Sequence, residues 1–227
     1  MNKHTGLVNF LQSFLAGFCI ALGGTVFLRI KDAFPGGNVV GAFLFCVGLL
    51  VICTRGYNLY TGKACYLLSQ ESKPAYLLYL LVVWLGNLCG TCLLAAIERL
   101  SGIGAGLQET AQALVEGKLS ASLLSLFLLG IICNVCIFIA ADGYKNCTHE
   151  VGKYLSLVLG VMVFILCGTE HSIADMYYFA VSGALVEAPV ESFLRLGIIS
   201  LGNLCGGILF PGIEILIKRL NKEKAAV

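Results

Sequence analysis

The chain is short of charge. Lysine and arginine (15) with aspartate and glutamate (13) make up 12% of its 227 residues, while 58% are hydrophobic and the mean hydropathy is +0.89. Soluble domains carry about twice that share of charge, so a soluble globular fold is excluded and a membrane protein is expected. Neither sign is in excess: a net charge of +2 is too small to point to nucleic acid as a partner. No small-residue cleavage site follows the first apolar run, which is therefore expected to stay in the membrane. Histidine is scarce as well, at three residues, and the CxxC spacings at Cys89/Cys92 and Cys133/Cys136 lack the histidine pair that would complete a zinc site. Nearly all of the eleven cysteines lie inside apolar runs, where the residue packs as a small hydrophobe. Free thiols are expected, with no metal and no cofactor.

What the chain does have is a series of uncharged runs. Those at Thr5–Leu28, Ala33–Thr54, Pro74–Ile97 and Leu119–Ala141 each reach the roughly 20 residues that cross a bilayer core as a helix. Tyr154–Thr169 and Leu196–Ile213 are shorter and less regular, and bring the expected number of spans to six. Lys63, Lys73, Lys145, Lys153 and the basic tail KRLNKEK fall in segments that a cytoplasmic N-terminus would place inside, against Arg29, Lys31, Arg99, Lys118 and Arg195 outside. That bias favours both termini in the cytoplasm, with the tail anchored at anionic headgroups.

The hexapeptide LGNLCG occurs at 85–90 and again at 201–206. The chain therefore reads as one transmembrane domain over 1–227 made of two repeats, 5–100 and 118–220. Three spans per repeat force the second copy to enter the membrane from the opposite face, an arrangement that puts a substrate path between the halves. Gly86, Gly90, Gly202, Gly206 and Gly207 suit close helix packing. Asn87 and Asn203, buried amides in need of partners or water, are candidates to line a pore.

Spans two and five are interrupted in corresponding places. RGYNLYTGK, with Arg55, Gly56, Asn58 and Gly62, follows the second; Glu170, His171 and Asp175 follow the fifth. Non-helical backbone at membrane depth survives only where it is buried in protein or lines a wet cavity, and paired interruptions mark a transport site. Half-helix N-termini there would offer N–H groups and a positive dipole end, favouring an anion. His171 can change charge between about pH 5 and 8; it is either a pore residue or a neutral core histidine.

These residues resemble the formate/nitrite transporter family, whose members include formate, nitrite and hydrosulfide channels. The elements that carry the likeness are NLYTG at 58–62, the two LGNLCG copies, GIICN at 130–134 and EHSIADM at 170–176. The resemblance implies an aquaporin-like all-α protomer of six transmembrane helices in two inverted three-helix repeats, assembled as a homopentamer in a bacterial plasma membrane. It implies that Thr61 and His171 face each other and contact a small inorganic or carboxylate anion. It further implies that Phe45, Leu49, Leu59, Tyr60 and Phe164 form apolar constrictions. Lys118, opening span four, then corresponds to a lysine that draws anions into a vestibule, the alternative being a snorkelling interfacial lysine. The chain departs from the family at two places: Asn58 stands where an acid is common, and Asp175 where asparagine is common. If 58 and 175 are equivalent in the duplication, an acid has changed sides, and Arg55 is placed to pair with Asp175 or Glu170.

The expected function is thus a channel for weak-acid anions, pH-dependent through His171, and not an enzyme. An aquaporin-like facilitator of neutral solutes is the alternative, disfavoured by the absence of Asn-Pro-Ala at either break. A thiol redox enzyme would need cysteines at one aqueous face, and only Cys147 lies in an expected loop.

Overall fold

The computed structural model describes residues 3–225; the expected cytoplasmic placement of the chain's ends also concerns residues 1–2 and 226–227, which lie outside them. Helices α1 (Lys3–Ile30), α2 (Gly37–Arg55), the short α3 (Tyr60–Ala64) and α4 (Lys73–Leu100) are followed by a linking helix, α5 (Gly104–Ser120). Then come α6 (Leu123–Asn146), α7 (Glu150–Leu166), α8 (Ser172–Ser182), the single turn α9 (Ala184–Glu187) and α10 (Pro189–Ala225). Of these, α1, α2, α4, α6 and α10 are long and apolar enough to cross a membrane. At 17 and 11 residues, α7 and α8 each fall short of a crossing of about 20; the fifth expected run, Tyr154–Thr169, falls on α7 and its end, and α8 follows it.

The two copies of LGNLCG sit where helices come closest. α1 lies along α4 and α6 along α10. A Cβ added at Gly90 would overlap the Phe14 carbonyl of α1, and one at Gly206 the Ile131 carbonyl of α6. Gly86 and Gly202 make the same approach one turn earlier, to Phe10 and Phe127. Without a hydrophobic force between helices in lipid, this backbone proximity is what holds such pairs together. Gly90→Ala is expected to lower stability by about 1–3 kcal/mol, the usual cost of forcing an extra group into a packed core, seen as a lower melting temperature in detergent.

α5 is a helix that no uncharged run announces. It is amphipathic, burying Leu107, Ala111 and Val115 at helical spacing against α8. Its presence corrects one expectation. Lys118 does not open span four; it lies in the last turn of α5, and α6 begins afresh at Leu123 with the Ser122 hydroxyl capping the N–H of Ser125 (3.1 Å).

Candidate functional site

The helix breaks after α2 and α7 have several backbone hydrogen bonds in common. Each starts at a glycine with a left-handed backbone, Gly56 (φ 70°) and Gly168 (φ 63°), a conformation that costs a side-chain-bearing residue more than glycine. The next residue reaches back five positions: Tyr57 N–H donates to Ile52 (3.0 Å) and Thr169 N–H to Phe164 (3.1 Å). One residue further, Asn58 N–H meets the Gln12 carbonyl and Glu170 N–H the Leu129 carbonyl, both at 3.4 Å.

The two asparagines of the repeated hexapeptide close these breaks. Asn87 Oδ1 accepts from Tyr60 N–H (2.9 Å), and its Nδ2 donates to the carbonyls of Asn58 (2.9 Å) and Ser13 (2.7 Å). Asn203 Oδ1 accepts from Ser172 N–H (2.9 Å), and its Nδ2 donates to the carbonyls of Glu170 and Gly130, both at 2.8 Å. Both side chains are wholly buried. They stitch the first break to α1 and α4 and the second to α6 and α10 instead of offering polar atoms to a lumen. The same bonds correct the expected correspondence: Asn58 matches Glu170, and the partner of Asp175 is Lys63.

Past the staples, the first turns of α3 and α8 meet. Thr61 Oγ1 and His171 Nε2 are 3.0 Å apart, both residues being buried. His171 is also the N-cap of α8, its Nδ1 accepting from Ala174 N–H (3.1 Å). An imidazole nitrogen that accepts carries no proton, so the ring proton is on Nε2 and is donated to Thr61. The Thr61 hydroxyl hydrogen is thereby left to donate elsewhere. The first-turn N–H groups are less available than the sequence led one to expect, since those of Tyr60, Ser172 and Ala174 are already taken. Asn134, of the GIICN segment, steadies the same turn by donating to the Thr61 carbonyl (3.1 Å).

Aromatic rings cover this pair. Phe164 stacks on His171 (centroids 5.3 Å, interplanar angle 21°) and meets Phe45 edge-on (6.0 Å, 86°). Leu49 and Leu59 are buried with them in the same apolar cluster. Tyr60 belongs to the same cluster; its hydroxyl donates to the Ser200 carbonyl (3.0 Å) and its ring also borders a lateral groove along α10.

A cavity lies on each side. One, of about 430 Å³, is bordered by Leu49, Leu59, Gly62, Lys63, Lys145 and Lys153. The other, of about 290 Å³, is bordered by Lys118, Phe164, Glu170, His171, Asp175 and Tyr178. Lys118 pairs with Glu170 and with Asp175 (2.9 Å). Burial works against its charge, yet the two carboxylates outweigh burial and hold the ammonium above its ordinary pKa. Arg55, proposed by the sequence as the partner of these acids, is exposed at the end of α2 and makes no ion pair among the described residues. Sequence reasoning missed Glu98, whose carboxylate accepts from Thr25 (2.5 Å) and Tyr177 (2.7 Å). It also missed Gln12, which receives a hydrogen bond from the Asn58 amide (3.0 Å). A lone acid near a helix end and a glutamine in an apolar run give no signal by spacing.

Residues 3–216 match the family described as formate/nitrite transporter. Similar proteins include the uncharacterized transporter YwcJ of Bacillus subtilis, 29% identical over 219 residues that cover 89% of this chain and 85% of that one. A formate channel of Bacillus thuringiensis is 28% identical, over 89% of this chain and 83% of its own; one of Haemophilus influenzae is 23% identical, over 91% and 84%. Among solved structures, a pentameric formate channel with formate bound superposes with a TM-score of 0.83 at 24% identity, covering 97% of this chain and 100% of that one. The fold is shared.

Proposed function

Because the chain belongs to the formate/nitrite transporter family, a family of channels and transporters and not of enzymes, we propose that it conducts a small monovalent weak-acid anion: formate, nitrite or hydrosulfide. It is a multi-pass membrane protein. In this reading α7 and α8 together count as the fifth of six spans, and the halves 5–100 and 118–220 insert in opposite directions. Copies assemble as a homopentamer in a bacterial plasma membrane, with both ends in the cytoplasm. Similarity to a pentameric channel supports the assembly, and the twice-built break supports the duplication.

The observation that carries the reading is the Thr61–His171 contact, set between two cavities and roofed by Phe45 and Phe164. A bare anion meeting those rings loses its hydration, at a cost of several kcal/mol. Taking up a proton removes most of that cost, and the donors at the junction lower the remainder. His171 acts as a neutral ring, because protonating Nδ1 would break the cap on Ala174. Its Nε2–H fixes the Thr61 hydroxyl, whose own hydrogen points to the passing solute. The solute crosses as the acid or as an anion held briefly by that hydrogen bond, and the pH dependence follows from where the proton resides.

Purified protein in liposomes, given formate, nitrite and hydrosulfide in turn, tests this. Influx of at least one is expected to rise as the outside pH falls, because a larger share of the weak acid then carries its proton. A hydrogen bond to a charged partner contributes about 1.5–3 kcal/mol, so Thr61→Val is expected to cut influx about tenfold or more. A His171→Ala protein with wild-type influx at every pH would remove the histidine from the mechanism.

A further inference from the structure

We propose that the anion is collected at the mouth bordered by Lys63 and Lys145, and that Glu170 and Asp175 together cancel the corresponding capacity of Lys118 at the opposite mouth. The inference rests on the anion reading above and adds to it a binding vestibule and its side.

The two cavities differ in charge. The larger has three lysines on its border and no carboxylate. Lys153 lies 3.8 Å from Glu150, and Lys145 sits over the Tyr66 ring with its Nζ 4.5 Å from the centroid. Lys63 makes no ion pair among the described residues. The nearby Asp142 accepts a hydrogen bond from Asn146 (2.7 Å) and does not border the cavity. Two ammonium groups thus face the space without a carboxylate of their own. In the smaller cavity one ammonium, Lys118, meets two carboxylates, Glu170 and Asp175. While either carboxylate is ionised, that mouth carries no surplus positive charge. With both ionised it carries a net negative charge, which Asp175→Asn would remove.

In a wet cavity an uncompensated ammonium at about 6 Å raises the local concentration of a monovalent anion roughly threefold, less at high salt. A passive pathway must have equal limiting permeability in both directions. The asymmetry therefore appears in the half-saturating concentration, which is low on the Lys63 side and high on the Lys118 side.

Initial rates of formate uptake, and then of nitrite and hydrosulfide, measured over a concentration series in intact cells and in inverted membrane vesicles, read each mouth separately. The wild type is expected to show unequal half-saturation in the two preparations. Lys63→Gln with Lys145→Gln is expected to raise it roughly tenfold in one preparation only, and Asp175→Asn to lower it in the other. Both effects are expected to shrink at about 1 M salt. Lys145 is exposed, so Lys145→Gln alone carries the test if Lys63→Gln fails to fold. Equal half-saturation on both faces, or no response to the lysine variants while uptake continues, would overturn the proposal. Absence of uptake of all three anions by the wild type would overturn the anion reading instead.

Discussion

Asn87→Ala and Asn203→Ala are each expected to abolish accumulation of folded protein. Each change deletes three hydrogen bonds and strands three buried backbone groups: for Asn87, the N–H of Tyr60 and the carbonyls of Asn58 and Ser13. A buried group left without its partner costs about 1–3 kcal/mol, and lipid offers no water in exchange. The combined loss, about 3–9 kcal/mol, is of the order of a whole domain's stability, about 5–15 kcal/mol. Asn203→Ala strands Ser172, Glu170 and Gly130 in the same way. Asn→Asp at either position keeps the acceptor and loses the two donors, so it is expected to fall between wild type and alanine only where the added charge is protonated. Size-exclusion profiles and melting curves in detergent measure this. A monodisperse Asn87→Ala protein with wild-type melting would show that the break holds itself without its staple.

The sequence made the staples easy to locate and hard to interpret. LGNLCG repeats identically because α4 and α10 must each both approach a neighbour's backbone at glycine and present an amide to a helix break. Those two demands fix a hexapeptide. What it does not disclose is which way the amide points, since pore-lining and backbone-binding asparagines have the same spacing. The breaks themselves have diverged to GYNLYTGK and GTEHSIAD, which share little beyond the first glycine. The matching of Asn58 with Asp175 failed for a related reason. Gly56 and Gly168 align at a different offset from Asn87 and Asn203, because the stretch from Gly168 to Asn203 is four residues longer than that from Gly56 to Asn87 (35 positions against 31). Surface connections absorb such changes in length without strain, so no fixed offset aligns both motifs. The pairing of Lys118 lay out of reach for another reason: α5 comes from a stretch with charges on its outer face, and its acidic partners are some fifty residues away.

Lys118→Met is expected to be the most damaging single change outside the staples, and also the most readily rescued. The ammonium is mostly enclosed and touches two acids, Glu170 and Asp175, whose own side chains are more enclosed still. Lys118 meets Asp175 at Oδ1, and among the described residues Oδ2 has no hydrogen-bond partner. Removing the cation leaves two neighbouring carboxylates with no counter-charge, and breaking a buried pair in this way typically costs about 3–5 kcal/mol. The penalty belongs to the stranded acids and not to the loss of lysine, which leads to an ordered set of outcomes. Adding Asp175→Asn to Lys118→Met recovers part of the stability. Adding Glu170→Gln as well is expected to return it to within about 1 kcal/mol of wild type, since an apolar or neutral replacement of a whole buried ionic group is often tolerated. Asp175→Asn alone leaves the Lys118–Glu170 pair intact and is expected to be nearly neutral for stability, which separates its folding effect from its transport effect. Lowering the pH supplies the single variant with protons in place of the ammonium, so its melting temperature rises towards wild type as the solution is acidified. Melting curves of the wild type and the four variants, read as a mutant cycle, decide the matter. If the Lys118→Met protein melts with the wild type at pH 8, or the triple variant melts no higher than the single one, the carboxylates are not held by this lysine.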